Sequence, residues 1–144
     1  MRLASTECRN RLVAADHGVL STTGPDGLVD AVPVCYAVVS NVVATPVDQV
    51  KPKRTTQLAR VTNLARDPRA TLLVEHWDPD DWSRLWWVRA RLTLRRGHAT
   101  DPSLIDEGAA ALRAKYAQYA ATPFARLLIF ELDPGQLSGW SSSG

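Results

Sequence analysis

Residues 42–73 oblige the chain to end a strand, carry a cluster of cations, form a short helix and start a second strand in quick succession, and the rest of the chain is built around that order. The apolar run Val42-Val43-Ala44 closes at Thr45-Pro46, where proline lacks the N–H that a central strand needs for its ladder. Lys51-Pro52-Lys53-Arg54 follows, holding two of the chain's three lysines on a loop stiffened by proline. Thr55 and Thr56 are candidate helix caps. After them Leu58, Val61 and Ala65 recur on one helical face, and Thr56, Arg60 and Asn63 on another. Asp67-Pro68 stops the helix, because a residue before proline is pushed out of the α region. Cations at a helix N-terminus oppose its dipole, so the arrangement costs stability unless an anion neutralises it. A solvated basic turn is the alternative reading of the same residues.

The remaining segments predict a small antiparallel barrel. A helix is expected over Ser5–Ala15, capped by Ser5 or Thr6. Gly18–Thr23 and Leu28–Val39 form a hairpin across the turn residues Thr23–Gly27, and Val42–Thr45 extends it after a Ser40-Asn41 turn. Pro33 inside the second strand demands an edge, a bulge or unpaired backbone. Arg69–His76 is a strand. The acidic, aromatic loop at Asp78–Arg84 leads to another, in which Val88, Ala90, Leu92 and Leu94 alternate with Arg89, Arg91, Thr93 and Arg95. Asp101-Pro102-Ser103 opens a helix that runs to Thr122-Pro123. Arg126–Leu132 is the closing strand, with Gly135 and Gly139 breaking the chain around Trp140. The expected architecture is one domain over residues 1–140, a mostly antiparallel split β-barrel with inserted helices, followed by a loose tail at 141–144.

Composition narrows the function classes. The 17 basic residues are nearly matched by 15 acidic ones, too even a balance to point to nucleic acid. Cys8 and Cys35 are isolated thiols with no CxxC spacing, which suits a reducing cytoplasm. No run of 18 uncharged apolar residues predicts a membrane span, and the charged N-terminal residues have no apolar signal core. His17, His76 and His98 are scattered, so a metal site is not expected.

Three segments in order, Val47-Asp48-Gln49-Val50-Lys51-Pro52-Lys53-Arg54, Asn63-Leu64-Ala65-Arg66-Asp67-Pro68-Arg69-Ala70 and Asp81-Trp82-Ser83-Arg84-Leu85-Trp86-Trp87-Val88-Arg89, carry a resemblance. The chain resembles the pyridoxamine 5′-phosphate oxidase-like split β-barrels, and within them the coenzyme F420-dependent subgroup, class B of the flavin/deazaflavin oxidoreductases. The resemblance implies a homodimer with two cofactor clefts at the subunit interface and hydride transfer from reduced F420 to a small conjugated or quinone-like acceptor. It maps the ribityl and phosphate contacts onto Thr45, Pro46, Val47, Lys51, Lys53 and Arg54, with Arg60 and Asn63 on the following helix. The deazaflavin ring would lie against Pro33 and Val34, walled by Trp77, Trp87 or Trp140. The sequence lacks the Arg-x-x-Leu-Leu-Lys motif of the true pyridoxamine phosphate oxidases, which argues against that substrate.

Hydride transfer needs no protein nucleophile, so no catalytic residue is assigned and the absence of a triad carries no weight. Tyr36 is read either as a proton donor or as a barrel residue with its hydroxyl at the rim, and His17 and His76 either as donors or as structural residues. Trp82, Trp86 and Trp87 form a stacking platform or pack in a core or dimer interface. Arg89 and Arg91 line a cleft for a carboxylated substrate or a solvated face. Two further readings stay open: a flavoenzyme of the same fold using FMN, whose phosphate is more compact than the glutamate tail of F420, and a non-catalytic F420-binding protein.

Overall fold

Side chains along Trp86–Leu94 alternate between burial and exposure, and that alternation is the rule by which the molecule is built. Val88, Ala90 and Leu92 are sealed inside, whereas Arg91 and Thr93 face out. The computed structural model describes residues 1–47, 58–96, 101–121, 123–124 and 126–143. In chain order the elements are α1 (Ser5–Ala14), β1 (Gly18–Thr23), β2 (Val29–Val34), β3 (Ala37–Val39), β4 (Val42–Pro46), α2 (Ala59–Arg66), β5 (Arg69–His76), β6 (Trp86–Leu94), α3 (Pro102–Lys115), β7 (Leu127–Glu131) and β8 (Leu137–Ser141).

The eight strands form one antiparallel sheet in the order β2-β1-β5-β6-β7-β4-β3, with β8 pairing β6 beside β7. The two ends of this order, β2 and β3, are successive in the chain and are joined by Cys35 and Tyr36. The sheet is therefore wrapped until its two edges are one stretch of backbone, with no ladder between them: a split barrel. Pro33 sits on β2, which among the described residues pairs only with β1, so the residue that cannot donate occupies an edge as its chemistry requires.

Leu20, Val43, Leu72, Val74, Val88, Ala90, Leu92, Leu128 and Phe130 pack the barrel interior, with Cys8 and Leu12 of α1 plugging one end. A second core lies outside the wall, where Val42 and Ala44 of β4 and Ile129 of β7 meet Leu112 of α3. All five residues of β4 are buried because the strand faces a core on either side. The helix approaches closely: a Cβ on Gly108 would stand 3.0 Å from that of Ala44.

Several boundaries differ from the sequence reading. The expected strand over Leu28–Val39 is broken into β2 and β3 because Tyr36 turns fully inward and its hydroxyl donates to the Leu12 carbonyl. Tyr36 is thus a core residue, with its hydroxyl committed away from the rim. Ser5 does not cap α1; Ala4 precedes the helix without a side-chain cap, and the Ser5 hydroxyl donates to the Pro134 carbonyl at 3.1 Å. Leu58, in extended conformation, precedes α2, and Thr55 and Thr56 lie outside the described residues. Helix α3 opens as expected, with the Asp101 carboxylate accepting from the Ser103 N–H at 2.9 Å, but it ends at Lys115. There Tyr116 leaves helical geometry and its hydroxyl reaches the Asp16 carbonyl at 2.6 Å. The tail expected from 141 begins later: Ser141 is buried as the last residue of β8, and the Ser142 hydroxyl donates to the Trp82 carbonyl at 2.7 Å.

Candidate functional site

The strand β2, the end of β4 and the first turn of α2 converge on a cavity of about 290 Å³. Its lining is His17, Pro33, Val34, Cys35, Pro46 and Arg60. Each arrives for a local reason. Proline ends β4 at position 46 and weakens the edge at position 33, so both present ring carbon and no donor. The β1–β2 register pairs Gly18 with Val34, which brings His17, one residue earlier, across from Cys35, one residue later. Arg60 stands in the first turn of α2. The product is an apolar wall of two prolines and a valine with a guanidinium and an imidazole beside it.

A polar lock holds the corner at Cys35-Tyr36. Thr45, fully buried, donates its hydroxyl to the Cys35 carbonyl at 2.7 Å and so ties β4 to the cavity wall. The Tyr116 hydroxyl accepts from the Tyr36 N–H at 3.2 Å, and Lys115 Nζ donates to the Tyr36 carbonyl at 3.0 Å while lying 4.0 Å from the Tyr36 ring centre. Burial pushes the Tyr116 hydroxyl up to about 12, with the neighbouring Cys35 and Asp16 adding to the shift. Desolvation pulls the Lys115 ammonium below its ordinary range. Both groups thus resist ionising inside the lock.

Of the residues marked in the sequence, Pro33, Val34, Pro46 and Arg60 line one cavity, and Thr45 fixes its wall from behind. Val47 packs against the barrel core, and its N–H donates to the Arg126 carbonyl at 3.0 Å. Asn63 is buried, and its amide donates to Asp30 Oδ2 at 2.7 Å and Thr22 Oγ1 at 3.1 Å, pinning α2 to the first hairpin. Trp77 is exposed at the end of β5 with Trp82 5.6 Å away, apart from the cavity. Lys51, Lys53 and Arg54 lie outside the described residues.

His17 and Cys35 were not singled out as lining residues by the sequence reading; the hairpin register is the signal that brings them there. Arg89 and Arg91 belong to a separate open groove on the outer face of β1, β5 and β6, with Arg89 over the Trp87 ring at 5.2 Å. Trp86 packs inward, stacked on His76 and covered by Arg11. Among the described residues no group of His, Cys, Asp and Glu could hold a metal ion, and no helix is long and apolar enough to cross a membrane.

No protein-family model matches the sequence, and no curated protein matches it. Solved structures do match in fold. A conserved hypothetical protein of Mycobacterium tuberculosis superposes with a TM-score of 0.73 at 17% identity, over 97% of this chain and 86% of the other. An FAD-binding protein of Mesorhizobium loti gives 0.66 at 17% identity, over 96% and 95% of the two chains. The haem storage protein HutZ of Vibrio cholerae gives 0.64 at 10% identity, over 94% and 90%. At these identities the likeness establishes the split-barrel fold, shared by proteins that hold flat, conjugated cofactors of different chemistry.

Proposed function

We propose that this protein is an F420-dependent oxidoreductase, working as a homodimer, that passes hydride from the reduced deazaflavin to a small conjugated or quinone-like acceptor. One observation carries the reading: Pro33, Val34, Pro46 and Arg60, all among the residues onto which the resemblance maps the cofactor, line a single cavity. The residues suit the group. Two prolines and a valine offer an apolar plane for a ring, and Arg60 with Lys51, Lys53 and Arg54 would neutralise the phosphodiester and glutamate carboxylates. About 290 Å³ is at the small end of ligand cavities, room for the ring but not for the whole cofactor, so the ribityl chain and tail would extend beyond it.

When bound, the deazaflavin supplies the hydride at C5. This chain's residues orient the ring, exclude water from the Pro33-Val34 wall and balance the charge of the tail. Tyr36 takes no part, since its hydroxyl is committed to Leu12. The open side of the cavity, where His17 is exposed, admits a proton from solvent.

A flavin is the second reading, favoured by the fold shared with an FAD-binding protein. The two are separated by titrating the purified protein with F420, FMN and FAD in parallel and following quenching of cofactor fluorescence. F420 is expected to bind at least about tenfold tighter than either flavin, a difference of about 1.4 kcal/mol. Tighter binding of FMN or FAD would replace this reading with the flavin one, and no binding of any would remove both.

A further inference from the structure

A second cavity, of about 430 Å³, shares no residue with the first and has no part in the proposed chemistry. Its volume lies within the range of small-molecule sites. Val61 of α2, Leu94 at the end of β6 and Leu127 of β7 give it aliphatic walls, and Ile105 of α3 lines it while remaining 40% exposed. A large aliphatic side chain held open to water beside a hollow is apolar surface without a partner among the described residues.

Three arginines line the same cavity, and they are not equivalent. Arg95 is ion-paired with Glu131. Arg96 donates from Nη2 to the Leu64 carbonyl at 2.6 Å, which spends one of its five donors and none of its charge. Neither Arg96 nor Arg126 has a carboxylate partner among the described residues. Both are exposed enough for their heads to reach a ligand at the mouth.

The two features select a ligand class together. An inorganic anion would satisfy the guanidinium groups and leave the aliphatic walls wet, whereas a neutral hydrocarbon would do the reverse. We propose that this cavity binds a single-chain aliphatic carboxylate, its tail between α2 and Ile105 and its head toward Arg96 and Arg126. A cavity of this size takes one short chain, so the ligand is a free acid and not a two-chain lipid in a bilayer.

Titration of the ¹⁵N-labelled protein with octanoate, below its micelle concentration, tests this. Saturable shifts are expected for the amides of Val61, Leu94 and Ile105, with octanol at least about tenfold weaker and acetate without effect. Arg126→Gln and Ile105→Glu, both at exposed positions, should each weaken octanoate at least about fivefold while the thermal midpoint stays within error. Equal binding of octanoate and octanol, unchanged binding by both variants, or shifts scattered over other surfaces would overturn the proposal. So would association confined to phospholipid vesicles. The readout is mapped to this cavity, so its outcome is independent of which cofactor occupies the other one.

Discussion

Asn63 places both of its amide protons on acceptors from the first hairpin, and one of them, the Thr22 hydroxyl, is itself buried. Asn63→Ala is therefore expected to lower unfolding free energy by about 1–3 kcal/mol, because Thr22 loses a partner without regaining water. Urea denaturation reads this as a lower midpoint at constant slope. Lys53 predicts the opposite pattern. If the basic loop holds the F420 tail, Lys53→Ala should weaken F420 binding by about 1–3 kcal/mol, most for long glutamate tails, and leave the urea midpoint in place. Equal dissociation constants for variant and wild type would detach the loop from the tail. Tyr116 adds a pH dependence. A phenol whose folded pKa is raised keeps its contribution below the ordinary 10.0 and loses it as the pH climbs toward about 12. Lys115, shifted the other way, makes stability rise with pH below its ordinary 10.5. The two together predict a maximum near pH 10, where the Lys115 gain is nearly complete and the Tyr116 loss begins, then a fall toward about pH 12 that Tyr116→Phe makes shallower.

At the scale of elements, α3 depends on its one glycine facing β4. A side chain larger than methyl at position 108 must displace either the helix or Ala44, which has the interior of the barrel behind it. Gly108→Val is expected to cost about 1–3 kcal/mol through overpacking, despite removing a glycine from a helix, and calorimetry should report a lower midpoint. Elements of this kind were legible to different degrees. Strand β6 declared itself through Val88, Ala90 and Leu92 alternating with Arg89 and Arg91, and the start of α3 through Asp101-Pro102. Strand β8 did not, because it buries Gly139 and Ser141 and turns Trp140 outward, inverting the usual signal. The break between β2 and β3 was hidden too, since β-rich sequence continues through it and only the inward Tyr36 marks the bend. Pro33 was legible through its own chemistry, as a proline inside a strand, whereas Val34, Pro46 and Arg60 enter through the family resemblance. The cavity was illegible at His17 and Cys35, which owe their place to pairing between strands.

The whole molecule leaves Trp77, Trp82 and Trp140 exposed, together with the aliphatic Leu73, a large apolar area for a chain of 15.8 kDa. A homodimer that covers part of it is expected to give twice that mass by light scattering at micromolar concentration, and a species at the chain mass would count against the shared cofactor cleft. The wrapping of the sheet bears on a different matter, the tendency of strands to recruit strands. An antiparallel sheet normally ends in two rows of unsatisfied N–H and C=O groups that can template growth into fibres. Here one row is interrupted at Pro33 and then bends away at Tyr36, and the other belongs to the three residues of β3, packed under α3. Neither of these, nor the outer edge of β8, where Met1 accepts from the Ser141 N–H and Leu3 donates to the Gly139 carbonyl, offers a long, flat run to a foreign chain, so a contact between copies through the exposed tryptophans would not propagate along the backbone.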